Sequence, residues 1–153
     1  MEDSLEKIIK EKISADHLLY VSMKYTKTCD VILNLIKRWK IMIDCCFDGI
    51  LKKMKKEKII KKIPTAPKLK IDSIRNYFKK NELIQDILKE YEIFQKIEIL
   101  KKTKEGEFRK GVCLTIFYRG EKISVNLEKL KEYSEILEKF INYTKLFLAG
   151  KNN

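Results

Sequence analysis

At 153 residues the chain has the length of one domain, and folding a chain of that size buries roughly 68–70% of its extended surface. With 37% charged residues and a net charge of +12, no window approaches the 18 or more uncharged apolar residues of a membrane-spanning helix. Only 5 Gly and 2 Pro punctuate it, which argues against many short strands and for long helices.

The opening MEDSLEKIIKEK has neither a basic start nor a continuous apolar core, so it is not read as a signal peptide and a cytoplasmic location is expected. Residues 2–12 read as a short charged helix edged by Leu5, Ile8 and Ile9. Ser14 is placed as the N-cap of a second helix, because its hydroxyl can accept from an unpaired N–H of the first turn. That helix carries Leu18, Leu19, Val21 and Tyr25. It either breaks near Thr26-Lys27-Thr28 or runs on, since two β-branched threonines weaken the junction.

The next stretch, KTCDVILNLIKRWKIMIDCCFDGILKKMKK, organises the rest. Ile32, Ile36, Trp39, Ile43, Cys46, Ile50 and Met54 recur at steps of four and three, which stacks them on one helical face. Leu35, Met42 and Phe47 widen that face. Asp30, Asn34, Lys37, Arg38, Asp44, Asp48 and Lys52 fall opposite. The predicted helix is about 45 Å long, enough to cross a small domain.

From Lys52 to Lys70 the character changes: nine lysines stand against one acid, Glu57, which places +8 of the chain's +12 in this segment. Pro67 biases Ala66 away from the α region, so 61–71 is read as an extended connector. Asp72 is placed as the cap of a short helix over 73–80 with Ile74, Tyr77 and Phe78 inward. Asn81 caps another that carries Leu83, Ile84, Ile87, Leu88, Tyr91 and Phe94. Residues 96–104 fit either a helix or a strand.

After a loop marked by Gly106 and Gly111, GVCLTIFYRGEKISVNLE fits an antiparallel hairpin. Pairing Ile116 with Ile123, Leu114 with Val125 and Val112 with Leu127 collects apolar side chains on one face. Phe117–Lys122, Thr115–Ser124 and Cys113–Asn126 share the other, and a one-residue slip destroys the separation. A tight turn at Arg119-Gly120 would force Arg119 to positive φ, so a four-residue loop in the same register is an equal alternative. A last helix starts near Asn126 or Leu127, buries Leu130, Tyr133, Leu137, Phe140, Thr144 and Phe147, and stops at Gly150. The expected fold is mainly α: one domain over 1–153, a helical bundle around one long central helix with a small β-hairpin before the C-terminal helix. Its parts are 1–60, the connector 61–71, the helices of 72–104, and the loop, hairpin and closing helix of 105–150.

Catalysis has little to work with. His17 is the only histidine and sits beside Asp16 where a polar residue needs no special reason. Cys29, Cys45, Cys46 and Cys113 lack C-x-x-C spacing, and in a reducing compartment they read as small buried hydrophobes. Asp30, Asp44 and Asp48 are interleaved with Lys37, Arg38, Lys40 and Lys52, so intrahelical ion pairs explain them better than a metal does. Gly106 and Gly111 match no nucleotide-binding fingerprint. No catalytic residue, metal or cofactor is expected.

The charge is more informative. Clustered lysines release counterions from a phosphate backbone and so drive sequence-independent affinity. Lys52, Lys53, Lys55, Lys56, Lys58, Lys61, Lys62, Lys68 and Lys70 are the first candidate contacts; Lys101, Lys102, Lys104, Arg109 and Lys110 form a second basic run. Tyr77 or Phe108, if exposed, could stack on unpaired bases. The Lys, Ile and Glu bias also fits a thermophile's ion-pair networks or an AT-rich genome, either of which leaves a basic surface with no partner.

From ADHLLYVSMKYTKT through the long helix to IPTAPKLKI, the chain resembles a group of small uncharacterised archaeal helical proteins. Their two long opening helices resemble the HEPN superfamily, whose members include RNases and partners of minimal nucleotidyltransferases. That superfamily's RNase signature has four to six residues between Arg and the His that follows it. Here Arg38, Arg75, Arg109 and Arg119 lack such a His; after Arg75-Asn76, Lys80, Asn81 and Glu82 stand where it would be. The resemblance thus implies a non-catalytic member. The leading expectation is a non-enzymatic protein binding nucleic acid, RNA ahead of DNA. The alternative is a protein-interaction or assembly module, with an acidic protein or a second copy as its partner.

Overall fold

The computed structural model describes residues 2–150. The protein is mainly α, 66% helical, with a small three-stranded antiparallel sheet before the C-terminal helix. The elements are α1 (Glu2–His17), a π-helical turn (Leu18–Ser22), α2 (Met23–Tyr25), α3 (Cys29–Lys56), α4 (Pro67–Tyr77), α5 (Glu82–Gln95), β1 (Lys102–Glu105), β2 (Cys113–Tyr118), β3 (Glu121–Asn126) and α6 (Leu127–Leu148).

The central helix is α3. Thr28 caps it by accepting from the Val31 N–H at 3.3 Å, and all ten residues expected on its apolar face are buried. Each such aliphatic or aromatic side chain removed from water contributes roughly 1.5–3 kcal/mol before the cost of ordering it. α1 runs back along α3, α5 and α6 close the other sides, and one apolar core joins helices and sheet. Gly49 makes the approach of α1 and α6 feasible: a Cβ there would stand 3.2 Å from Ser4 Cβ and 3.4 Å from Leu148 Cδ1.

Four local expectations are corrected. Ser14 caps nothing: the chain is helical without a break from Glu2 to Tyr25, because Leu5, Ile8, Ala15, Leu18 and Met23 extend one core-facing stripe across it. The π turn, closed by Met23 N–H donating to Leu18 O, shifts the phase so that Leu18 and Leu19 pack inward while Tyr20 and Val21 face out. The connector is shorter than 61–71, since α4 opens at Pro67. Proline at the first helical position has no N–H to lose, and Ala66 before it stays extended at ψ 131°. Asp72 therefore lies inside α4 and pairs with Arg75 at 3.2 Å, and Tyr77 faces outward. Finally, 96–104 is neither one helix nor one strand: turns over 96–99 lead into β1.

Asn81 and Asn126 cap α5 and α6, accepting from Ile84 N–H at 3.0 Å and Lys129 N–H at 2.8 Å. The hairpin register is the expected one from Cys113↔Asn126 to Phe117↔Lys122, with Leu114↔Val125 and Ile116↔Ile123 on the core side. Val112 and Leu127 lie outside the strands. The tight turn is the form adopted: Tyr118 pairs with Glu121, and Arg119 and Gly120 sit at φ 50° and 77°. A Cβ on Gly120 would meet nothing within 4 Å, so the Gly120→Ala penalty is purely conformational. It is expected to be about 1–2 kcal/mol, read as a lowered urea midpoint. No change would show that the turn relaxes freely.

Candidate nucleic-acid interface

α3 ends in a motif that turns the chain outward. Ile59 N–H donates to Met54 O at 2.8 Å and Lys58 N–H to Lys55 O at 3.0 Å, with Lys58 in the left-handed region at φ 62°. This sends the chain past Lys61 and Lys62 toward Pro67, where α4 returns Ile71 and Ile74 to the core. Lys52, Lys55, Lys56, Lys58, Lys61, Lys62 and Lys68 are all exposed, and among the described residues none of them has an ion-pair partner. Lys53 and Lys70 differ: Lys53, its side chain 12% exposed, holds Glu57 at 2.8 Å, and Lys70 holds Asp48 at 3.5 Å. Lys53, Lys55 and Lys56 complement the negative end of the α3 dipole, which gives them a local reason to be there. Lys58, Lys61, Lys62 and Lys68 have no such reason.

The second basic run is not part of this surface. Phe108 N–H donates to Lys27 O at 2.6 Å and Glu107 Oε1 accepts from Cys29 N–H at 2.8 Å, so the 106–111 loop is tied to the start of α3. The 28 residues of α3 span about 42 Å, and the two runs sit at its opposite ends. Several cations of the second run are also engaged. Lys104 pairs with Asp30 at 3.0 Å, which raises its pKa; Lys102 donates to the Glu98 and Leu100 carbonyls; Lys101 lies 5.5 Å from the Phe117 ring centre. Arg109 and Lys110 are exposed. Phe108 is 75% exposed, while Tyr77 rests on Phe78 with ring centres 4.9 Å apart.

The acidic residues of α3 are tied up in ion pairs. Asp44 pairs with Lys40 within the helix and accepts from the Tyr91 hydroxyl at 2.5 Å, but Asp30 and Asp48 pair with Lys104 and Lys70 from other elements. Lys40, Asp44, Asp48, Lys70 and Tyr91 line a cleft of about 300 Å³ bounded by α3, α4 and α5. Among the described residues no group of three or more His, Cys, Asp and Glu could hold a metal. Burial, with Glu107 next to it, pushes the Cys29 thiol up to about 12, and burial does the same to Cys46, so neither is a ready thiolate. His17 is exposed.

A second cleft, of about 430 Å³, lies between α5, the β2–β3 hairpin and the start of α6. Burial pushes the carboxyl of Glu90, in its wall, upward against the pull of Lys129 and Tyr133. A carboxyl raised on folding adds stability below its unfolded range, and that contribution is lost as pH rises through the folded range. Glu90→Gln is therefore expected to raise the unfolding midpoint at pH 7 and leave it nearly unchanged at pH 3. An equal shift at both would point to packing instead of charge.

The sheet was only partly foreseen, because nothing in KTKE marks β1. Its pairing with β2, Lys102↔Ile116 through Glu105↔Cys113, adds a third strand beside the hairpin. The chain matches no family model, no curated protein and no solved structure.

Proposed function

We propose that this protein binds nucleic acid without transforming it, RNA ahead of DNA, through the lysines at the C-terminal end of α3 and the connector that follows. One observation carries the reading: seven exposed lysines between Lys52 and Lys68 have no acidic partner among the described residues, although the chain pairs its other charges widely. An uncompensated cluster favours a polyanion by counterion release and needs no base-specific geometry. Lys102 and Lys104 are assigned a lesser part than Arg109 and Lys110, because their cations already have hydrogen-bond or ion-pair partners. The antiparallel α1–α3 pair, with no histidine placed after its one arginine, Arg38, supports a HEPN-like, non-catalytic reading. Titration of a fluorescein-labelled single-stranded RNA at low salt tests the proposal. Saturable binding supports it, and its absence contradicts it.

The assembly reading has an observation of its own. Ile9, Ile13, Tyr20, Val21 and Tyr25 are exposed along the outer side of the α1–α2 arm, and Tyr25 is 78% exposed. Singly such residues are ordinary; five on one arm favour a covered face. A solution mass twice that of the chain, with no RNA binding, would favour this reading.

A further inference from the structure

The sheet has one face in the core; on the other the edge-strand side chains are exposed, while Thr115 of the middle strand is only 5% exposed. Leu114, Ile116 and Val125 fill the core side, so by alternation Cys113, Thr115 and Phe117 of the middle strand share the other. Register sorts that outer face into rows across the strands. Phe117 lies between Lys101, whose carbonyl accepts from Phe117 N–H at 2.9 Å, and Lys122. Thr115 lies between Thr103 and Ser124, and Cys113 between Glu105 and Asn126. The first row is thus cation, aromatic, cation; the second is three hydroxyls. Lys101, Thr103, Lys122 and Ser124 are exposed, Phe117 is half-buried, and Lys101 already lies 5.5 Å from the Phe117 ring centre. The rows are about 7 Å apart, two residues along a strand.

We propose that this face is a platform for an unpaired nucleotide of single-stranded RNA. The base stacks on the Phe117 ring, the phosphates on either side meet Lys101 and Lys122, and the hydroxyls of Thr103 and Ser124 reach the base edge or the ribose. Unpaired bases stack on aromatic side chains whatever their sequence, and flanking cations follow the backbone. A duplex hides its base faces and cannot use the ring. The acid on this face, Glu105, is two rows away from Phe117, so the charge around the ring is positive. This inference rests on the reading of the protein as a nucleic-acid binder and adds a site that charge counting alone misses. The strand that carries the ring begins at Cys113, whose carbonyl accepts from Cys29 Sγ at 3.3 Å at the end of α3 remote from the lysine cluster, so the two contacts are separable by mutation.

The experiment titrates the full chain with a labelled single-stranded RNA dodecamer and with a duplex of the same sequence. Phe117→Leu is expected to weaken the single strand roughly five- to 150-fold, the range for losing one stacked base, and to leave the duplex unchanged. Phe117→Tyr, which keeps a ring, is expected to restore binding. The exposed double variant Lys101→Glu, Lys122→Glu needs no repacking and is expected to reduce the single-strand salt slope by about 1.4, as for two lost phosphate contacts. Single-strand binding unchanged in Phe117→Leu, or weakened equally for the duplex, overturns the platform and leaves the lysine cluster standing. Loss on reversing the cluster lysines alone does the same. No binding of either RNA by the unaltered protein overturns both.

Discussion

Replacing Trp39 by alanine is expected to lower stability by about 3–5 kcal/mol, the usual cost of truncating a large aromatic in a packed core. Trp39 is 3% exposed at the middle of α3, with the Phe94 ring centre 6.2 Å away and nearly parallel and the Tyr133 ring 6.0 Å away and edge-on. Phe94 and Tyr133 also meet edge to face at 5.2 Å, so the three rings tie α3 to α5 and α6 at one point. Truncation leaves two rings without their shared neighbour, and neither can move without dragging a helix. For a chain of this size the loss corresponds to a melting temperature lower by roughly 6–20 °C. Because it is the only tryptophan, its emission should also be blue-shifted in the folded protein. A loss under 1 kcal/mol, or emission typical of exposed indole, would mean that α3 does not carry the core.

The long elements were legible because their apolar spacing and their packing agree. The α3 face, the α5 face and the hairpin register each place one type of residue on one side, and each is found as expected. Misreadings came where a local signal competed with a longer one. Ser14 has the chemistry of a cap, yet the core-facing stripe from Leu5 to Met23 runs straight past it, and packing against α3 outweighs one hydrogen bond. Pro67 carried two meanings: it keeps Ala66 extended and it suits a first helical turn. The first was read and the second was not. β1 is polar throughout and pairs because Cys113–Ile116 presents an open edge, a tertiary cause with no trace in KTKE itself. The candidate interface divides in the same way. Lysine density along 52–70 can be counted in the sequence, but which lysines have acid partners cannot. Asp48 and Lys70 are 22 residues apart, and Asp30 and Lys104 are 74 apart. The cation–aromatic–cation row needs β1, and so was out of reach.

Reversing Lys55, Lys56, Lys61 and Lys62 to glutamate is expected to weaken RNA binding at least tenfold at low salt, for all sequences alike. All four are exposed and unpaired among the described residues, so no fold-supporting contact is lost. Lys55 and Lys56 lie in the last turn of α3, where glutamate opposes the dipole, and the variant should lose about 0.3–1 kcal/mol of stability at each of those two positions. That loss leaves a folded protein, which helical circular dichroism can verify. The control is a matched reversal of Lys7, Lys10, Lys131 and Lys139, exposed on α1 and α6, which changes net charge by the same amount. The deciding measurement is single-strand RNA affinity against salt for the unaltered chain and the two variants. The unaltered protein should show log affinity falling with log salt at a slope near −3.5, as for about five neutralised phosphates. The cluster variant should flatten toward −1.4, as three contacts are lost and the two at Lys101 and Lys122 remain, and the control should stay near −3.5. Equal flattening in both variants, or a slope near zero for the unaltered protein, would contradict a nucleic-acid interface at the end of α3.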